Sequence, residues 1–370
     1  HALAMATEAK ASGVQSIAIG SYSNASADSV VSIGQNSKAG GTVNPATGKG
    51  PGTAAVAVGY LADASAANTF AGGKSATATV DNAVALGVSS SATSRNAMAL
   101  GGYAAASGER AAAVGAASKA SGTASFAGGT SANASGLNSV AIGGAMEAAK
   151  AAQAIGDYSI AQGTEAVSNK QSDVAIGTGA KADGVDAPNG ASNTADNTAG
   201  TATAVGAKAN ATGIAASALG ERANATANGA TAVGSKANAS GAASAALGRA
   251  AAASGESATA LGSGSRATAK YSFAGAPDSE ASGVNSVAIG AHSRANINDS
   301  VALGADSETG AFVGTNNATV GTLTYEGFAG NVSALNNNAG SVVSVGKAGS
   351  ERQIQNVAAG RITKTSTDAI

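Results

Sequence analysis

Between residues 84 and 143 the sequence reads Val84-Ala-Leu-Gly87, Met98-Ala-Leu-Gly101, Ala112-Ala-Val-Gly115, Phe126-Ala-Gly-Gly129 and Val140-Ala-Ile-Gly143, each tetrapeptide starting 14 residues after the last. A second run carries the same glycine from Gly206 through Gly220, Gly234, Gly248 and Gly262, by way of Ala276, to Gly290 and Gly304. Self-similarity at a fixed period marks a repeat architecture. Counting from the anchor Gly, a large apolar residue stands at minus three, Ala at minus two and an aliphatic residue at minus one. Ser or Ala follows at plus three, Ala at plus five and Gly or Ala at plus seven. Ala237, Ala239 and Gly241 show this, with polar Lys236, Asn238 and Ser240 around them. Both segments alternate with period two, which predicts two short strands per repeat, each with one buried face. The anchor Gly supplies the backbone angles or close approach that a tight corner needs.

The large positions are expected to form the core, with Val140, Ile142 and Gly143 and again Val287, Ile289 and Gly290 as its motif residues. Volume trading supports that placement. Where minus three becomes Phe, at Phe70, Phe126 and Phe273, minus one becomes Gly, at Gly72, Gly128 and Gly275. Side chains that share a confined layer are expected to compensate in this way. Burying two aliphatics falls well short of the cost of ordering 14 backbones, so one repeat cannot stand alone and stability must accumulate through stacking.

Composition points the same way. The chain has 370 residues, of which 98 are Ala and 52 Gly, so a thick core of large side chains is excluded and with it a conventional globular enzyme. Basic and acidic residues number 21 and 22, and no basic block occurs, which argues against nucleic acid as a partner. No stretch has the roughly 20 large apolar residues of a membrane-spanning helix, so direct membrane contact is not expected of this segment. With no Cys, disulfides and thiolate metal sites are ruled out. Leu3-Ala-Met5-Ala6 already occupies the motif positions, so the sequence is expected to begin inside the array.

Breaks in the register mark insertions. Eleven extra residues are placed at Thr42–Gly52, seven near Thr164–Lys170 and fifteen near Val185–Ala199, all with the Asn, Asp, Pro and Gly content of surface loops. After Gly304 the register ends, which divides the chain into repeats over 1–310, a connector over 311–341 and a distinct segment over 342–370.

That last segment and the repeats together resemble a known family. Asn138-Ser-Val-Ala-Ile-Gly143 and Asn285-Ser-Val-Ala-Ile-Gly290 look like the head repeats of YadA-like trimeric autotransporter adhesins, and Val342–Ile370 is similar to the neck that joins such a head to a coiled-coil stalk. The resemblance implies a left-handed parallel β-roll, a homotrimer, and display on the outer surface of a Gram-negative bacterium, with anchor and stalk outside this sequence. It implies attachment to host matrix proteins, receptors, cells or surfaces. It also places Thr367-Asp368 where the stalk helix begins, and makes Glu351 and Arg352 candidates for ion pairs between chains. Because the insertions escape the repeat constraint, Asn44, Lys49, Asp186, Asn189 and Asn193 are the candidate ligand-binding residues.

Chemistry is sparse. His292 stands at an outward polar position and reads as solvated, and the carboxylates are scattered without a recurring pair, so no catalytic residue, metal site or cofactor is expected. Asn24, Asn133, Asn210, Asn224, Asn238 and Asn317 match the glycosylation triplet, and read instead as outward polar positions of the repeat. Two other readings stay open: a passive spacer of a surface fibre, and an ice-binding β-solenoid, which would need an aligned Thr ladder.

Overall fold

The computed structural model describes residues 1–41, 53–184, 201–313, 317–326, 340–358 and 360. They fall into two compact units, His1–Arg222 and Ala223–Ile370. In both, one 14-residue repeat forms one rung of a parallel β-solenoid.

In the first unit each rung holds a three-residue strand, such as Val84–Leu86, and a two-residue strand, such as Ser91–Ala92. Strands one repeat apart lie in register: Val84 pairs with Met98, Ala85 with Ala99 and Leu86 with Leu100, while Ser91 pairs with Ala105. The strands stay short because a β-turn closes each end of both. In one rung the Gly101 carbonyl accepts from the Ala104 N–H at 3.2 Å and the Gly108 carbonyl from the Ala111 N–H at 3.1 Å. The third residue of each of these turns, Tyr103 and Arg110, is left-handed, with φ of 60° and 59°. Fourteen residues are therefore two similar seven-residue halves. Turn residues donate to the preceding rung (Tyr103 N–H to the Val88 carbonyl, 2.8 Å) and strand residues to the following one (Ala105 N–H to the Ser118 carbonyl, 2.9 Å). A rung is thus bonded on both sides, as stacking requires.

The interior is alanine. Ala85, Ala99, Ala113, Ala127 and Ala141 at minus two are fully buried, as are Ala78, Ala92, Ala106, Ala120 and Ala134 at plus five. This corrects the expectation that the large positions line the core. Val140 and Val287 are only half-buried, and Ile142 and Ile289 are 42% and 41% exposed. The alternation was right and its polarity was reversed. Two sheets joined by four-residue turns leave room between them only for small side chains, nearly always Ala but Ser at Ser32 and Ser168, and larger side chains must point outward. Volume trading is real but belongs to the outer face: a Cβ placed at Gly72 would lie 2.7 Å from the Phe70 ring, and one at Gly128 would lie 2.8 Å from the Phe126 ring.

Register pairs locate the insertions. Lys38 pairs with Asp63 and Lys181 with Asn210, steps of 25 and 29 residues, so 11 and 15 extra residues lie between those strands, and the expected bounds 42–52 and 185–199 fall outside the described residues. The middle insertion is displaced. Asn133 pairs with Gln153, a step of 20, whereas Gln153 to Val167 and Val167 to Lys181 are both 14. Six extra residues therefore precede Gln153, beside the short 3-10 helix Ala148–Lys150, and 164–170 is ordinary repeat. Ala154-Ile-Gly156 imitates the anchor motif in text but occupies the plus-five to plus-seven positions.

In the second unit the same rungs run from Asn224–Ala225 to Val301–Leu303. An antiparallel hairpin, Asn317–Val320 with Leu323–Glu326, follows. The chain then re-enters the solenoid: Val343 pairs with Val301 and Ala302 with Ser344, 42 residues or three repeats on. The boundary at 341/342 is thus the start of a further rung.

Candidate functional site

No cleft dominates the described residues, so the candidate site is the outer surface, built from the positions that alternate with the buried alanines. On the three-residue sheet the outward positions are apolar. In the first unit Ile33, Val58, Leu86, Val114 and Ile142 follow one another along minus one, with Leu86 49% exposed, and the Phe70 and Phe126 rings cover the gaps at Gly72 and Gly128. The second unit repeats this with Val233, Leu261, Ile289 and Leu303. Such rows exceed the scattered apolar exposure normal for a soluble surface and mark an association face.

The two-residue sheet presents the opposite character. Its outward position carries Lys10, Asn24, Lys38, Asp63, Thr77 and Ser91 on successive rungs, with charges interrupting any Thr ladder. Asn side chains bridge some rungs, as between Asn224 Nδ2 and Asn238 Oδ1 at 2.7 Å. The five glycosylation-like Asn residues on the rungs, Asn24, Asn133, Asn210, Asn224 and Asn238, all open two-residue strands. Bulky residues sit at the turn corners in spite of their left-handed backbones: Tyr22, Tyr103, Tyr158 and Tyr271, with Tyr103 68% exposed. His292 is another exposed corner residue, with φ of 57°.

Asp173 escaped the sequence reading. It takes the plus-ten position that Ser or Ala usually fills, and is fully buried. Its carboxylate accepts from the N–H groups of Lys170 (3.0 Å), Gly184 (3.4 Å) and Ala202 (2.9 Å), the last two flanking the insertion at 185–199. Burial pushes its carboxyl above the ordinary aspartate range, against those three N–H groups, and the charge of Asp183 adds to the rise. The usable signal was an acid in a column of Ser and Ala directly before a register break.

Of the residues singled out from sequence, Asn44, Lys49, Asp186, Asn189 and Asn193 lie outside the described residues, as do Thr367 and Asp368. Glu351 and Arg352 do not pair with each other. The Glu351 carboxylate accepts the Gly349 N–H at 2.8 Å, which holds its carboxyl below the usual range. The Arg352 guanidinium turns back onto the last full rung, donating to the Ser307 hydroxyl at 2.9 Å, the Val345 carbonyl at 2.7 Å and the Ala305 carbonyl. Among the described residues no three His, Asp or Glu side chains converge as metal ligands would.

These features define an all-β parallel solenoid with an alanine interior and one apolar outer wall. The family described as YadA head domain repeat (2 copies) matches residues 11–37, 78–104, 106–132, 129–145, 154–180, 168–187, 211–237, 253–274 and 281–307, more than half of the chain. The chain belongs to this family. The family is one of adhesin-type proteins of the cell surface. No curated protein matches the chain. Two of the solved structures similar to it are as follows. The C-terminal YadA-like domain of a Burkholderia pseudomallei protein is 44% identical over 28% of this chain and 48% of its own, with a TM-score of 0.23. The collagen-binding domain of the Yersinia adhesin YadA is 21% identical over 76% of this chain and 80% of its own, with a TM-score of 0.18. The chain thus spans about half the length of the Burkholderia chain.

Proposed function

We propose that the chain is the head of a homotrimeric adhesin on the outer surface of a Gram-negative bacterium, attaching it to host matrix or cell-surface proteins. The observation that carries this reading is the exposed aliphatic row on the three-residue sheet of each unit. Three such rows packed together leave the polar two-residue sheets facing outward. In this reading 342–370 is the neck, 311–341 a connector inserted before it, and Glu351 and Arg352 add partners from a neighbouring chain to those they hold in their own. Every weak contact then occurs three times, which raises effective concentration and slows detachment without a deep pocket.

The insertions at 42–52 and 185–199 are the proposed specificity elements. Deleting either should reduce attachment of displaying cells to a matrix-coated surface, while the trimer and its melting temperature are retained. Cells that lose residues 1–310 should lose attachment altogether. Undiminished attachment in that last strain would make the chain a passive spacer.

A further inference from the structure

One concave site lies on the polar side, at the first rungs of the first unit. Its volume is about 350 Å³, at the small end of ligand-binding clefts and suited to a single ring. One wall is the outward column Lys10, Asn24 and Lys38, in register on successive rungs. The other is the corner column Glu8, Tyr22 and Asn36, all left-handed with φ of 55°, 61° and 57°. The same left-handed backbone recurs at the turn corners of the solenoid, and on this rung it stands Tyr22 against the groove.

The two lysines are exposed and form no ion pair among the described residues. Two rungs separate them, about 9.6 Å along the sheet, with the Asn24 amide between. Tyr22 offers an amphipathic ring on which the C–H face of a sugar can lie, Asn24 and Asn36 offer amide groups to hydroxyls, and Glu8 accepts from hydroxyls. Two cations and one carboxylate leave a single positive charge in the groove, while Asp63 stands one rung beyond Lys38 and outside it. The groove opens away from the apolar wall, since Asn24 points outward from the sheet that faces the other across buried Ala25 and Ala18.

We infer that this groove binds a saccharide carrying one negative charge, with Tyr22 as stacking surface and Lys10 and Lys38 as its cationic ends. The inference goes beyond the adhesin reading and uses no residue of the insertions; deleting 185–199, many rungs away in sequence, should leave this binding unchanged.

Saturation-transfer NMR and calorimetry on the full chain test it, with 3′-sialyllactose as the monoanionic probe, lactose as the neutral one and a heparin-derived hexasaccharide as the polyanion. Sialyllactose should bind and lactose should not. The Lys10→Gln/Lys38→Gln double variant should weaken sialyllactose binding at least tenfold, and raised salt should weaken it as well. Tyr22→Asn, which suits the left-handed backbone and so preserves the turn, should weaken it without changing the melting temperature. Equal binding of lactose, binding of the hexasaccharide alone, or parental affinity in both variants would overturn the inference.

Discussion

At Gly115 two separate constraints exclude a side chain. Its φ of 132° lies where only glycine is at ease, and a Cβ there would come 2.6 Å from the Gly129 carbonyl carbon. Gly115→Ala should therefore cost about 1–3 kcal/mol or more in denaturant unfolding, and a change under about 0.5 kcal/mol would show that the rungs part easily. Asp173 makes the other prediction at this scale. Because its carboxyl holds a proton more tightly in the folded chain than in the unfolded one, its contribution is fully present below the ordinary aspartate pKa and is lost as pH rises through the raised folded value. The melting temperature of the parent, measured relative to Asp173→Asn, should fall as pH climbs through that window. A difference that is flat with pH would assign Asp173 an ordinary carboxyl.

Among elements, the strand pair shows what was readable. Period two in Val84-Ala-Leu and in Ser91-Ala pointed to half-buried strands, and both exist as such. Which half is buried was misjudged, although the text held the signal. Minus two is Ala on rung after rung, whereas minus three ranges from Ala112 and Ser217 to Phe126, a spread of volume no close-packed interior accepts. Ala113→Leu should thus destabilise the solenoid by about 1–3 kcal/mol or more through overpacking, while Met98→Leu on the outer face should change stability by less than about 1.5 kcal/mol. Similar losses from both would place the core elsewhere. Asp173 and the displaced insertion before Gln153 were harder to read, because both depend on which residues stack across rungs.

At the scale of the whole chain, the proposed homotrimer would be held through the apolar rows of its units. Each chain has a mass of 34.3 kDa, so light scattering on a homotrimer should give three times that value across a range of concentrations. Leu86→Lys with Ile142→Lys places charges on the wall without touching the alanine interior. This variant should keep its β-rich circular dichroism and lose the trimeric mass. Trimeric mass in the variant would move the interface to another face.

The sequence by itself determined the rung. A 14-residue period with an anchor Gly and alternating Ala leaves few alternatives to a stacked two-strand turn, because local sterics and period-two burial act within a single repeat. Only the tertiary structure decided which side of each strand is inside, where the middle insertion lies, and that Val343 rejoins the sheet three repeats after Val301. Those outcomes depend on the spacing between two sheets and on pairing between rungs, and neither distance is written in one repeat.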